Sequence, residues 1–311
     1  MKLSVIIVSW NSQEFLVPCL TSVFNNKIDF NYEIILVDNA STDNSIKLVQ
    51  ERFSQVKILE NKENIGFTKA NNQGIKVSFG EYILLLNPDT IILDDNLFKK
   101  WIAFMDEHPE AGASGCRLIY PDGEHQIGDA GYRPSLKTII NWSFFLSRIF
   151  FEFKGLFINY RKLIGPVEVD WICGADFLIR RSILDKVGPM NEDIFMYADD
   201  IEWGCRIRDY GYKVFYLPQF RIIHLQGGSA KKRKDIGSFS GLWLKNIRRL
   251  YKHYNKNQPV FLYDVIMSSG FLLRAFFYYC LYLTSKKEDA KIKAKKMFRY
   301  FKFSVPNSSM D

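Results

Sequence analysis

Two rhythms of apolar and polar residues alternate along the first ninety positions. Short, mostly apolar runs occur at 3–8, 33–37, 56–60 and 82–86. Runs of that length, bounded by polar turns, predict strands buried on both faces. Between them, 12–24, 45–53 and 67–79 repeat apolar residues at helical spacing, with Phe15, Leu16, Leu20, Val23 and Phe24 on one stripe. Asp43 stands before the second helix as a cap, and Gly66 before the third. This alternation predicts an α/β chain with a mostly parallel, Rossmann-like central sheet flanked by helices.

The texture changes in the second half. Strands are expected at 113–119, 172–179 and 214–217, a short helix at 182–187 and a longer one at 199–210. Residues 142–164 hold Phe144, Phe145, Phe150, Phe151, Phe153 and Phe157 among scattered basic residues, a segment for covering the sheet or for contact with lipid. A basic helix follows at 238–254, then a strongly apolar stretch at 259–284 and a basic tail. The division expected is an α/β domain, 1–230, and a C-terminal helical region, 231–311.

Composition narrows the classes. At 311 residues, 47% apolar and 24% charged, the chain can bury a large core and is not a disordered protein. Of its net charge of +8, +6 lies in residues 286–302, so the main body has no basic face for nucleic acid. The five cysteines, at 19, 116, 173, 205 and 280, form no CxxC pair, so neither a zinc module nor a redox motif is indicated. Their odd number, and an N-terminus that reads as a strand rather than a secretion signal, fit reduced thiols in the cytoplasm. Asp264 and Arg274 interrupt the 259–284 stretch and leave its uncharged run short for a spanning helix. Two readings stand level there: an interfacial helix on an anionic leaflet, peripheral on the inner face of the plasma membrane, or a helical pair packed on protein or on a second subunit in a homodimer.

The chemistry-bearing residues fall into clusters. Asp38, with Asn39, Ser41 and Asp43, leaves the second strand; Asn87-Pro88-Asp89 leaves the fourth. Carboxylates at the exits of buried parallel strands point into the crevice where open α/β sheets bind ligands. Pro88 stiffens its turn and fixes the Asp89 carboxylate, suited to Mg²⁺ or Mn²⁺ beside a pyrophosphate. Asn64-Ile65-Gly66 opens the helix bearing Asn71, where a glycine start lets a ligand approach and a helix N-terminus favours phosphate. Asp199, Asp200 and Glu202 crowd one helical turn; Arg206 at i+4 is a partner for Glu202, which leaves Asp200 free as a general base. His224 ends an apolar stretch before Gly227-Gly228-Ser229, a place for a metal ligand. Each cluster also has a plain structural reading as a polar loop, a turn or a charged first helical turn.

In order, V-S-W-N, V-D-N-A-S-T-D, N-I-G-F-T-K-A-N-N-Q-G, N-P-D, G-A-D-F-L-I-R-R, F-M-Y-A-D-D-I-E-W and H-L-Q-G-G-S run from residue 8 to 229. Together they resemble the family-2 inverting glycosyltransferases of GT-A fold, in the rhamnosyltransferase-like branch. The resemblance implies that Ser9, Asn11, Asp38, Asn39, Asn64, Gly66, Asn71 and Asn87 line the nucleotide pocket, with Asp38 on the base. It implies that Asp89 carries the metal contact, with His224 at the later metal or diphosphate contact. Trp171, Gly174, Ala175, Asp176 and Glu202 would lie near donor sugar and acceptor. Asp200 matches the catalytic base, but the family usually reads Glu-Asp-x-Asp where this chain reads Asp-Asp-Ile-Glu, which leaves Asp199 and Asp200 both open for that role. The implied partners are a divalent cation, a dTDP- or UDP-sugar and a glycan or lipid-linked acceptor. Two other classes fit less well. A nucleotidyltransferase would need a basic, glycine-rich phosphate loop near the N-terminus, which 8–11 lacks. A non-catalytic nucleotide-sugar-binding module has no need of Asp89, Asp200 and His224 together.

Overall fold

The computed structural model describes residues 1–150, 152–159, 163–225 and 236–305, with backbone alone at 236–240. In chain order its elements are β1 (Leu3–Ser9), α1 (Gln13–Phe24), β2 (Tyr32–Asp38), α2 (Ser45–Arg52), β3 (Lys57–Glu60), α3 (Phe67–Val77) and β4 (Tyr82–Leu86). Next come β5 (Thr90–Ile92), α4 (Leu97–Glu107), β6 (Ala111–Ile119), β7 (Ala130–Gly131), α5 (Leu136–Ser143) and α6 (Leu146–Ile149). Then follow β8 (Val167–Val169), β9 (Trp171–Ile172), β10 (Asp176–Arg180), α7 (Leu184–Val187), α8 (Asp199–Asp209) and β11 (Lys213–His224). The chain ends with α9 (Ile236–Tyr254), α10 (Val260–Ser285) and α11 (Glu288–Ser304).

The described residues form a nine-stranded sheet in the order β3-β2-β1-β4-β10-β6-β11-β5, with β8 also on β11. β1 lies parallel between β2 and β4, and β11 parallel to β6. β10 is antiparallel to both β4 and β6, and β5 and β8 are antiparallel to β11. β3 is also parallel to β2, so six of the nine strands (β1, β2, β3, β4, β6 and β11) run one way and three (β5, β8 and β10) the other: the sheet is mostly parallel by strand direction, as the alternation predicts. Every residue of β4 is buried, which is why that strand reads as an unbroken apolar run. Strand order reverses at β1, whose neighbours are β2 on one side and β4 on the other; the crevice for a ligand lies at such a switch, outside the carboxyl ends.

Three expectations need correcting. Residues 172–179 are not one strand: a turn at 173–175 separates β9 from β10, and that turn carries Gly174. The strand expected at 214–217 runs on to His224, because a register shift between Leu217 and Arg221 takes Pro218 out of the ladder with β6. β5 and α4 are additions to the predicted elements.

The chain packs as two compact units, Met1–Ala130 with Tyr160–Lys234, and Gly131–Asn159 with Asp235–Asp311. The first holds the sheet. The second joins α5 and α6 to the C-terminal helices, so the aromatic segment after 131 packs there, not in the domain expected at 1–230. Its ring contacts say why: Trp142 meets Phe271 edge-on at 5.7 Å, and Phe157 stacks on Trp243 at 6.1 Å. The two charges of α10 point into this unit. Arg248 donates twice to the Asp264 carboxylate, at 2.8 and 3.1 Å. Arg274 donates to the carbonyls of Ser143, at 2.7 Å, and Trp142, and lies over the Trp142 and Phe145 rings. Gly270 lets α5 come close, since a Cβ there would sit 2.6 Å from that of Ser143.

Candidate active site

The register of β1 on β2 sets Ser9 beside Asp38 at one sheet edge. Beyond it the two loops lock together. Asp38 accepts from the Ser41 amide at 2.8 Å and the Ser41 hydroxyl at 2.5 Å. That hydroxyl oxygen also accepts the Asn11 amide at 2.8 Å, and the Asn11 side-chain oxygen accepts the Thr42 amide at 2.8 Å. Asn11 holds a left-handed backbone, φ 50°, to make this turn. Asn11 and Asn64 keep accessible surface; Ser9, Asp38 and Asn39 are buried. Asn39 donates to the Gly66 carbonyl at 3.1 Å and accepts from Asn61 at 3.0 Å, so its amide ties the β2 loop to α3. Asp43 accepts from the Ser45 and Gln13 amides and so serves the starts of α2 and α1 together, although Asn44 is the formal cap.

The start of α3 departs from expectation. Gly66 has φ 91°, and a Cβ there would meet the Phe195 ring at 2.6 Å. The Phe67 amide donates to the Phe195 carbonyl at 3.1 Å and the Thr68 hydroxyl to the Ile194 carbonyl at 2.8 Å. The Phe67 amide and the Thr68 hydroxyl at this helix start are thus committed to protein carbonyls. Asn71 likewise turns inward: it is buried and donates to the Phe67 carbonyl of its own helix at 3.0 Å.

At the exit of β4, the Asn87 carbonyl accepts from the Thr90 hydroxyl at 2.7 Å and the Thr90 amide at 3.3 Å, closing a four-residue turn with Pro88 second. β5 then pairs with β11 so that Thr90 faces His224. Two residues 135 apart in sequence thereby meet: Asp89 Oδ1 lies 3.2 Å from His224 Nε2. His224 Nδ1 sits 2.6 Å from Gln126 Oε1, which accepts its proton, and Nε2 lies 3.3 Å from the Asn87 side-chain nitrogen. With the proton on Nδ1, the Nε2 lone pair and the Asp89 carboxylate are two acceptors facing each other. A divalent cation between them satisfies both, and the partner on Nδ1 is the usual orienting contact of a metal-binding histidine. These residues fit a cation. Among the described residues no group of three or more His, Cys, Asp or Glu is placed to hold a metal, so further ligands would come from diphosphate and water. Gly227-Gly228-Ser229 lies outside the described residues.

The third cluster joins this one through the turn between β9 and β10. The Asn87 amide donates to the Ala175 carbonyl at 2.9 Å, and the Gly174 amide donates to Asp200 Oδ2 at 3.1 Å. Asp200 Oδ1 accepts its neighbour's amide, Ile201, at 2.8 Å. Tyr197 and Ala198, at φ 68° and 64°, are consecutive non-glycine residues in the left-handed region just before α8. Such strain, of order 1–3 kcal/mol per residue, clusters at functional sites. Asp199 is buried and Asp200 half-buried. Burial, then the Asp200 charge, pushes the Asp199 carboxyl well above its ordinary value. Burial also raises Asp200, against the pull of the Gly174 and Ile201 amides. Glu202 is gripped by Arg206 through two bonds of 2.9 Å. Asp176 is corrected from a donor or acceptor contact to a structural role, being fully buried with Oδ2 accepting the Cys116 amide at 2.7 Å. Trp171 and Ala175 are buried too, and Ala175 serves the site's frame through its carbonyl. Neither Gln126 nor the strained pair carries a signal in the sequence.

Residues 4–188 match the family described as Glycosyl transferase family 2. The chain belongs to that family. Rhamnosyltransferase WbbL of Escherichia coli is 26% identical over 229 residues, covering 71% of this chain and 82% of its own. The N-acetylglucosaminyl-diphospho-decaprenol L-rhamnosyltransferase of Mycobacterium tuberculosis is 28% identical over 206 residues, 61% of this chain and 66% of its own. O-antigen biosynthesis protein RfbC of Myxococcus xanthus is 24% identical over 256 residues, 78% of this chain; the chain spans only 18% of that protein. Among solved structures, the mannosyltransferase PcManGT of Pyrobaculum calidifontis, in complex with GDP-Man and Mn²⁺, superposes with a TM-score of 0.61 at 12% identity, over 97% of this chain and 85% of that one. That likeness, at so low an identity, shows the GT-A fold.

Proposed function

We propose that this chain is an inverting, metal-dependent glycosyltransferase. It would move a sugar, rhamnose being the one that two of its relatives are named for, from a dTDP- or UDP-sugar to a hydroxyl of a lipid-linked or surface-glycan acceptor. It would work in the cytoplasm, peripheral on the inner face of the plasma membrane. The observation that carries the reading is the linkage of base and cation pair: Asp200 on the Gly174 amide, Ala175 on Asn87, and Asp89 facing His224.

A cation held by Asp89 and His224 would neutralise charge developing on the leaving diphosphate. Asp38, fixed by Ser41, and Asn11 would bind the nucleoside. Asp200 would take the proton of the acceptor hydroxyl as that oxygen attacks the anomeric carbon from the face opposite the diphosphate. A single displacement of this kind inverts the centre and needs no covalent nucleophile.

The test is a panel of nucleotide sugars assayed for transfer with and without Mn²⁺, in the wild type and Asp89→Ala. Metal-dependent turnover lost in Asp89→Ala, with the fold unchanged, is expected. Undiminished turnover in EDTA sinks the metal part of the reading, and NMR showing retention at the anomeric carbon sinks inversion.

A further inference from the structure

The outward side of α10 has no charge along its whole length. Leu262, Val265, Leu272, Leu273, Phe276 and Leu283 recur at helical spacing and are 37–66% exposed. Asp264 and Arg274 both turn inward, so the polar groups exposed along α10 are the uncharged Ser269, the Tyr279 hydroxyl, Thr284 and Ser285. At 26 residues the helix is about 39 Å long. An apolar surface of that size is not left in water by a soluble protein.

α11 runs antiparallel beside α10: Ser304 meets Ser268 at 3.1 Å, Tyr300 meets Phe271 at 5.3 Å, and Lys291 lies 5.2 Å over the Tyr282 ring. Ala290 and Ala294 are buried. Lys291, Lys295, Arg299 and Lys302 recur at i, i+4, i+8 and i+11, one basic row with exposed Phe298 within it. α10 passes for a membrane span by length and composition. Its inner side is nonetheless fixed to α5 by the close Gly270–Ser143 approach and the Arg274 carbonyl contacts, and to α9 by the Arg248–Asp264 pair.

We propose that α10 and α11 form a monotopic docking surface, with α10 lying in the plane of an anionic bilayer and the basic row of α11 among its headgroups. The charge pattern selects this occupant. A second copy docked through the same face would bring two basic rows together, whereas an anionic leaflet complements them. The proposal deepens the membrane part of the functional reading and is independent of the transfer chemistry.

The experiment is flotation of the full chain with phosphatidylglycerol-containing vesicles and with phosphatidylcholine vesicles, at low and high salt. Preferential binding to the anionic vesicles that weakens with salt is expected. Leu273→Ser/Phe276→Ser should lower partitioning at least tenfold, and Lys295→Gln/Arg299→Gln/Lys302→Gln roughly fivefold per charge removed. Both variants change exposed side chains, and unaltered UDP or dTDP binding checks their folding. Absence of vesicle binding by the wild type, or equal binding by all three proteins, overturns the proposal. So does a stable dimer in lipid-free buffer that the double variant converts to monomer, which makes a second copy the occupant. Vesicle binding without any sugar transfer would sink the enzymatic reading and leave this one standing.

Discussion

Asp200→Asn separates the hydrogen bonds that the Asp200 carboxylate makes from the proton transfer proposed for it. Its two oxygens accept two backbone amides, from Gly174 at 3.1 Å and Ile201 at 2.8 Å. Asparagine has a single acceptor oxygen, so one amide would face an NH₂ group instead. An unsatisfied buried donor costs about 1–3 kcal/mol, which in a chain of this size lowers Tm by several degrees. The kinetic loss should be larger. Removing a general base costs about 10²–10⁴ in kcat, or roughly 2.7–5.5 kcal/mol. Nucleotide affinity, which rests on other loops, should stay within about threefold, so stopped-flow transfer rates and calorimetric UDP or dTDP binding should part company. Asp199→Asn is the control. Asp199 is raised further than its neighbour, and its protonated form is the one the fold prefers. The stability it contributes is complete below the ordinary carboxylate pKa, about 3.9, and is lost as pH rises through its elevated folded value. Asparagine should therefore raise Tm more at pH 8 than at pH 4 while leaving turnover nearly intact. Because Asp200 is raised too, the acid limb of kcat/KM should lie above the ordinary carboxylate range. If Asp199→Asn loses more turnover than Asp200→Asn, the assignment of the base is refuted.

Two further substitutions test the frame of the site. Gln126→Leu removes the acceptor on His224 Nδ1, and Mn²⁺ affinity measured by electron paramagnetic resonance in the presence of UDP should fall about 10–100-fold; unchanged affinity would show that Gln126 does not orient the ring. Gly66→Ala forces a Cβ against Phe195 in a backbone region that only glycine occupies comfortably, and urea unfolding should show a loss of about 1–3 kcal/mol.

The first half of the fold is legible because buried parallel strands advertise themselves as apolar runs and the helices between them as stripes. β5 is three residues long and carries no rhythm of its own; it exists because β11 reaches it. Asp89 and His224 could each be suspected from a strand exit and a strand end, but Gln126 could not. Its role depends on a partner 98 residues away. Asp264 and Arg274 misled in the opposite direction. They break the apolar run in sequence, yet each points inward to a partner, so the outward face carries no charge. The aromatic segment after 131 reads as cover for the sheet because its neighbours in sequence are there. Its partners, Phe271 and Trp243, lie a hundred residues on.

The discontinuity of both units sets the order in which the chain can fold as it leaves the ribosome. β6 is complete at residue 119 but must wait for β10 at 176–180 and β11 at 213–224 before its edges are paired. The insert at 131–159 waits longer still, since beyond the Phe157 ring inside the insert, Trp142 and Ser143 meet Phe271 and Arg274 only when 270–274 emerge. Until then a nascent chain displays open strand edges and bare aromatic rings, the surfaces that chaperones hold and that aggregate when nothing holds them. Truncation before α10 would make that transient condition permanent for the insert, and solubility rather than chemistry would be the first property lost.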